Sequence, residues 1–373
     1  MADQSKIKTW LSTMVAHKGS DLYITFGAPP TMRGDNGFNI LQREPMDDAA
    51  IDAVLADITS PANREEFERN CELNMAMDMG KTGRFRINAL KQRQHTAMVI
   101  RRITAQVPTM DGLGLPKVLG DLVMEKRGLV IVVGGTGSGK STSLAAMIDH
   151  RNTNAPGHII TIEDPIEYIH DHKRCIVTQR EVGVDTQSFE AALKNTLRQK
   201  PDVILLGEIR DPFSMQQSIN IAETGHLALA TLHANNSNQA IERVLNFFDK
   251  EMHHQILLNL SLNLRGIVSQ RLVAKRGGGR VPAIEILLNQ GLIKDLIRKG
   301  EIKDIKNAMA DNAEQGMQTF DQCLFRLFSE GQIEADTALA EADNPSDLKL
   351  KIMRETAGGG EGLKGVDTSR LTL

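Results

Sequence analysis

A short glycine-rich stretch constrains this chain more than any other feature. Residues 128–144 read Gly-Leu-Val-Ile-Val-Val-Gly-Gly-Thr-Gly-Ser-Gly-Lys-Ser-Thr-Ser-Leu. Leu129 to Val133 is apolar and rich in β-branched residues, which suits a strand buried on both faces. Gly134, Gly139, Lys140 and Ser141 then complete the pattern G-x-x-x-x-G-K-[ST], and an alanine-containing helical segment follows from Leu144. Phosphate oxygens need several backbone N–H groups converging at short range, and side chains in such a loop obstruct them. A helix N-terminus adds donors and a favourable dipole. The candidate nucleotide-binding set is therefore Gly134, Gly135, Thr136, Gly137, Ser138, Gly139, Lys140, Ser141 and Thr142. In it Lys140 reaches the β- and γ-phosphates and the Ser141 hydroxyl ligates Mg²⁺. The alternative, a glycine turn without a ligand, does not require the strand–loop–helix order found here. The stretch implies nucleoside triphosphate binding, and ATP with Mg²⁺ is the expected pair.

At 373 residues the chain is long enough for two or three domains. Charged residues make up 24% and apolar residues 41%, as in soluble globular proteins. The net charge of −3 offers no electrostatic case for nucleic acid as a partner. Cys71, Cys175 and Cys323 form no C-x-x-C pair, so neither a zinc site nor a disulfide framework is indicated, and a reducing cytosol is expected. No apolar run approaches the ~20 residues that span a bilayer. Met1-Ala2-Asp3-Gln4-Ser5 lacks the basic and apolar regions of a signal peptide. Any membrane association is thus expected to be peripheral, through a protein partner.

Periodicity predicts a helix over 7–17, a strand over 20–26, helices over 48–58 and 61–70, and strands near 73–79, 84–92 and 96–103. Residues 1–105 then read as an α+β domain of their own. The Pro- and Gly-containing stretch 106–116 reads as a linker, 117–290 as the nucleotide-binding core and 291–356 as a helical region. The core's further strands are expected at 158–163, 203–206 and 227–232, alternating with helices, which argues for a doubly wound sheet. The leucine-rich segment 252–273 has a helical period and is expected as one long helix closing the core. The Gly-rich tail 357–373 is expected to be disordered.

Hydrolysis needs carboxylates for water and metal and cations for transition-state charge. Ile159-Ile160-Thr161-Ile162 leads into Glu163-Asp164-Pro165-Ile166-Glu167, and Val203-Ile204-Leu205-Leu206 leads into Gly207-Glu208-Ile209-Arg210-Asp211. Open α/β sheets bind ligands beyond the carboxyl ends of their strands, so both acidic clusters can converge on the phosphate loop. His226 and His233 bracket another apolar run. Read from the residues, each is either functional or a hydrogen-bonded structural histidine; a γ-phosphate sensor is the functional reading for His226, and the structural reading is favoured for His233.

These three segments, taken in order with Glu-Thr-Gly-His-Leu…Thr-Leu-His as a fourth, resemble the four nucleotide-site motifs of secretion-type ATPases. The resemblance is strongest to the twitching-motility branch, the PilT/PilU retraction ATPases of type IV pili, on its PilU-type accessory side. It extends to Gly19-Ser20-Asp21-Leu22, Gly83-Arg84-Phe85-Arg86-Ile87-Asn88, Leu296-Ile297-Arg298 and Gly316-Met317-Gln318-Thr319-Phe320-Asp321, and covers residues 5–350. It implies an α/β fold: a RecA-like P-loop ATPase core preceded by an α+β, PAS-like N-terminal domain and followed by C-terminal helices. It further implies a homohexameric cytoplasmic ring at the inner-membrane base of a pilus. The partners it implies are an inner-membrane pilus platform protein and a paralogous retraction ATPase. By the same resemblance Glu163 is the general base, Glu208 belongs to the Mg²⁺ shell with Ser141, and His226 senses the γ-phosphate. Arg84, Arg86, Arg101 and Arg102 are candidate arginine fingers.

Asn235 and Asn236 depart from the small hydroxyl residues that follow the last histidine in the principal retraction motor. Assembly-type relatives carry a long N-terminal extension and a four-cysteine zinc site, neither found in this sequence, so disassembly is expected over assembly. Two other readings compete with a retraction motor. A nucleotide-binding regulatory subunit need not retain Lys140, Glu163 and Glu208 together. A nucleic-acid motor predicts a basic channel and stacking aromatics, whereas aromatics are only 4% here.

Overall fold

The structure, a computed structural model, describes residues 5–34, 37–103 and 106–357. It contains two compact units. The first holds the chain up to Gln106 together with two later segments, Pro165–His170 and Glu181–Ser188. Its elements are α1 (Lys6–Ala16), β1 (Asp21–Thr25), β2 (Thr31–Gly34), β3 (Gly37–Ile40), α2 (Asp48–Ile58), α3 (Pro61–Asn70), β4 (Glu72–Asp78), β5 (Arg84–Gln92) and β6 (His95–Ile103). The strands form one sheet in the order β3-β2-β1-β6-β5-β4, with every neighbouring pair antiparallel. Alternation sorts its two faces. Leu22, Ile24, Phe85, Ile87 and Ile100 turn to a core shared with Ile7, Leu11, Met14, Ile51 and Phe67 of the helices. Helix starts are signalled locally: the Asp47 side chain accepts from Ala50 N–H, and Ser60 with Asn63 makes a capping box ahead of Pro61. Sequence pattern assigned nothing to β2 and β3, which are four residues each and end or begin at glycine.

The second unit comprises Val107–Asp164, Asp171–Arg180 and the chain from Phe189. In order it forms α4 (Val118–Met124), β7 (Gly128–Val133), α5 (Lys140–Asn154), β8 (Gly157–Glu163), β9 (Cys175–Glu181), α6 (Phe189–Thr196), β10 (Val203–Leu206) and α7 (Pro212–Glu223). Then come β11 (Leu227–Leu232), α8 (Ser237–Leu245), α9 (His253–Asn263), β12 (Leu264–Ala274) and β13 (Arg280–Leu288). The helices α10 (Gly291–Lys299), α11 (Ile302–Asp311), α12 (Phe320–Ser329), α13 (Ala335–Glu341) and α14 (Pro345–Ala357) complete it.

The sheet runs β13-β12-β7-β11-β10-β8-β9, and β12, β7, β11, β10 and β8 are mutually parallel. Every residue of β7 is buried, as its unbroken aliphatic run requires of a central strand. Leu119, Leu122, Leu144 and Met147 of α4 and α5 pack against Val130 and Val132. Register aligns the carboxyl ends: Val133 pairs with Leu232 and Ser269, and Leu206 pairs with Ala230 and Ile162. Gly134, His233, Gly207, Glu163 and Gln270 therefore stand at one edge of one sheet. That edge is where ligands bind in such sheets.

The single long helix expected over 252–273 is corrected. The helix α9 stops at Asn263, Leu264 turns extended (φ −62°, ψ 136°), and β12 begins. Gly266 weakens a helix there, Ile267 and Val268 favour a strand, and β12 gains neighbours on both sides, β7 and β13. Helical leucine spacing lost to sheet completion. In the C-terminal helices Phe320, Leu324, Phe328, Leu348 and Ile352 form one core with Val273 and Ala283 of β12 and β13. The tail expectation for 358–373 and residues Thr104 and Ala105, at the end of the expected first domain, lie outside the described residues.

Candidate functional site

The phosphate loop is shaped by what it cannot accommodate. A Cβ on Gly134 would stand 2.4 Å from Ser138 Oγ and 2.5 Å from the Gln270 carbonyl. One on Gly139 would meet Gln270 Nε2 at 2.8 Å, and Gly139 also holds a left-handed φ of +86° as the N-cap of α5. Gln270, 2% exposed, pins the loop to the sheet: its Nε2 donates to Ser138 O at 2.8 Å, and its Oε1 accepts from Ser143 Oγ at 2.7 Å. Lys140 Nζ donates to the Gly134 and Gly135 carbonyls at 2.8 and 3.0 Å. Ser138 Oγ is buried with no hydrogen-bond partner. A buried hydroxyl without a partner in a glycine-rich loop that opens a helix fits a loop built for an anion. Thr136 and Gly137 stand exposed at the loop tip, and Ser141 and Thr142 open α5.

The acidic residues stand along the same edge. Glu163 ends β8, and Glu208 follows β10. Gly207 allows the two strand ends to close up. Its N–H donates to Ile162 O at 2.7 Å, and a Cβ there would be 3.1 Å from Glu163 Cα. Arg210 links the clusters, with Nε 2.6 Å from Glu208 Oε2 and Nη1 3.3 Å from Asp164 Oδ2. Its hydrogen bond to Glu208 holds the guanidinium above its ordinary pKa, against the cost of partial burial.

The two histidines part company. His233 follows the carboxyl end of β11, its Nε2 lies 2.9 Å from Glu208 Oε1, and with Gly134 and Gly135 it lines a cleft of about 300 Å³. His226 precedes the amino end of β11; its carbonyl accepts from Gly128 N–H, and its Nδ1 is 3.1 Å from Thr224 Oγ1. Seven residues of extended chain separate it from the level of the phosphate loop, about 23 Å. His226 is thus not brought to the loop, and His233 is. The rule that ligands gather at carboxyl strand ends could have distinguished them in the sequence, because His226 comes before its strand and His233 after it. Gln270 gives no such signal, as it sits in a segment with a helical leucine period.

The candidate arginines belong to the first unit. Arg84 and Arg86 alternate with core-facing Phe85 and Ile87, and Arg86 pairs across with Arg101, so these three share the face opposite the core. Arg102 pairs with Phe85 and falls on the other face. Arg101 Nε is 2.8 Å from Asp21 Oδ1. Glu181, 3% exposed, accepts from Ile166 N–H at 3.3 Å. Burial raises its pKa, while that N–H and the positive charges of Arg84 and Arg86 pull it down.

Residues 60–277 match the family model described as type II/IV secretion system protein. The type IV pilus ATPase PilU of Pseudomonas aeruginosa is 52% identical over 343 residues, covering 92% of this chain and 90% of that protein. The chain belongs to the type II/IV secretion system family, in its type IV pilus ATPase branch. A second member from Pseudomonas aeruginosa, the retraction ATPase PilT, is 39% identical over 88% of this chain and 96% of its own length. The crystal structure of the pilus retraction motor PilT with bound ADP superposes with a TM-score of 0.86 at 38% identity, covering 92% of this chain and 99% of that one. Membership of this branch makes the fold a RecA-like ATPase core with an N-terminal domain. No helix among the described residues is long and apolar enough to cross a membrane.

Proposed function

We propose that this chain is an ATP-hydrolysing motor that promotes retraction of a type IV pilus, working as a homohexameric ring in the cytoplasm at the inner-membrane base of the pilus. The observation that carries the reading is the gathering of the phosphate loop, Glu163, Glu208 and His233 at one sheet edge, in a chain half identical to a pilus ATPase. The loop N–H groups and the N-terminus of α5 cradle the phosphates of ATP, and Lys140 turns from the loop carbonyls to the β- and γ-oxygens. Glu163 accepts a proton from the attacking water. His233, tied to Glu208, replaces His226 as the residue that senses the γ-phosphate. Among the arginines, Arg84 and Arg86 are the better fingers, because Arg101 is engaged with Asp21 and Arg102 falls on the opposite face.

Magnesium takes much of its shell from phosphate and water and needs only one or two protein oxygens, a demand that Ser141 and Glu208 fit. When bound, the ion supplies charge neutralisation on the β- and γ-oxygens. The pilus platform protein and a paralogous retraction ATPase are the proposed partners.

The test is phosphate release by the purified chain beside Glu163→Gln, with particle size followed with and without Mg-ATP. Loss of at least about 100-fold in kcat with ATP binding kept, in a hexamer-sized particle, is the expected result. A folded, ATP-binding wild type that releases no phosphate would rule out an autonomous motor and favour a regulatory subunit.

A further inference from the structure

The carboxylate of Glu163 is held by two side chains from two strands. Thr161 Oγ1 donates to Glu163 Oε1 at 2.6 Å, and Gln179 Nε2 donates to the same oxygen at 3.3 Å. Thr161 is wholly buried in the run Ile159-Ile160-Thr161-Ile162, where packing alone calls for another aliphatic residue. Valine has nearly the same shape as threonine without the hydroxyl, so the hydroxyl calls for a separate explanation. Residues two apart in a strand share a face, which aims the hydroxyl along β8 at the carboxylate. Gln179 reaches it from β9, the neighbouring strand.

A glutamate at the end of a strand has χ angles that populate several staggered wells. A base must instead stand within hydrogen-bond reach of its water, and a misplacement of about 1 Å can cost roughly 100-fold in rate. Two donors on one oxygen remove much of that freedom. They also favour the charged form of the carboxylate, the form that accepts a proton.

We propose that Thr161 and Gln179 are a positioning pair that orients the Glu163 carboxylate toward the attacking water. The proposal rests on the reading of Glu163 as the general base. Neither residue touches the reacting atoms in this scheme. Their effect on the reaction passes through Glu163.

The test compares Thr161→Val, Thr161→Ser and Gln179→Ala in the full chain, with Glu163→Gln as reference. Thr161→Val is expected to lower kcat by about 10- to 100-fold while the KM for ATP stays within about twofold. Because a lost donor disfavours the carboxylate, the acidic limb of the kcat profile moves to higher pH. Thr161→Ser restores both kcat and the limb. Gln179→Ala acts in the same direction and more weakly, in keeping with its longer bond. Gln179 is only half-buried, so this variant carries the test should Thr161→Val fail to fold.

Melting temperature and affinity for a fluorescent ATP analogue establish that each variant is folded. If Glu163→Gln keeps wild-type turnover, the general-base reading fails and the positioning role falls with it. If Glu163→Gln is inactive while folded Thr161→Val and Gln179→Ala keep the wild-type kcat and pH profile, the positioning role alone is overturned.

Discussion

The difference between His226 and His233 is a matter of strand polarity. Both flank the same apolar run, and imidazole chemistry is identical in each. What separates them is that β11 lies parallel to β7, so only the residue after β11 arrives beside Gly134. His233 then gains a carboxylate partner in Glu208 at 2.9 Å, whereas His226 meets a threonine and a backbone N–H. Removing His233 is expected to cost a hydrogen bond to a charged group, about 1.5–3 kcal/mol if it is realised in the transition state. That corresponds to roughly 10- to 150-fold in kcat. We therefore expect His233→Ala to lose at least about 10-fold in phosphate release and His226→Ala to stay within about twofold. The opposite ranking would return the sensing role to His226. The motif residues were legible individually, and the direction of the strand between the histidines decides which one stands beside the phosphate loop.

At the scale of elements, the sequence exposed what local chemistry dictates and hid what sheet completion dictates. The strands β7, β8, β10 and β11 are nearly continuous aliphatic runs, so burial on both faces announces them. The strand β9 mixes Cys175-Ile176-Val177 with Thr178-Gln179-Arg180-Glu181 at the sheet margin, where one side is unpaired and the pattern is correspondingly weak. In β12, leucines at helical spacing conceal a central strand. That concealment also hid Gln270, which joins β12 to the phosphate loop. Gln270→Ala would leave the Ser138 carbonyl and the Ser143 hydroxyl without their buried partner, a cost of about 1–3 kcal/mol for each group left unsatisfied. The expected outcome is a lower denaturation midpoint together with a raised KM for ATP, because the loop loses its tie to the sheet. A variant that lost stability and kept its KM would show that Gln270 supports the fold without shaping the loop.

At the scale of the whole molecule, a unit in space need not end where it ends in sequence. The first unit closes at Gln106 along the chain, yet it also takes in Pro165–His170 and Glu181–Ser188. Nothing in the composition of those segments marks them as belonging with residues 1–106, so a linear reading assigned them to the core. Their contribution to the first unit is electrostatic as well as steric. Arg86 stands directly across from Arg101 on neighbouring strands, a like-charge pairing that is destabilising by itself. In the whole chain Glu181 offsets Arg84 and Arg86, and Glu167 acts on Arg101.

The apolar core of this unit, from Ile7 to Ile100, lies wholly within the first 106 residues. A fragment of residues 1–106 is therefore expected to fold cooperatively, but without Glu167 and Glu181. Added salt should then raise its melting temperature, since screening at about 0.15 M already acts over about 8 Å. Arg86→Gln should stabilise the fragment at low salt by about 0.2–1 kcal/mol, the scale of a cross-strand charge pair. The same substitution in the full chain should bring no such gain, because there it also removes an attraction to Glu181. Thermal denaturation of the four proteins at two salt concentrations measures this directly. A fragment indifferent both to salt and to Arg86→Gln would mean that the two glutamates are not the counter-charges of the arginine face, and that its charges are balanced within the first 106 residues.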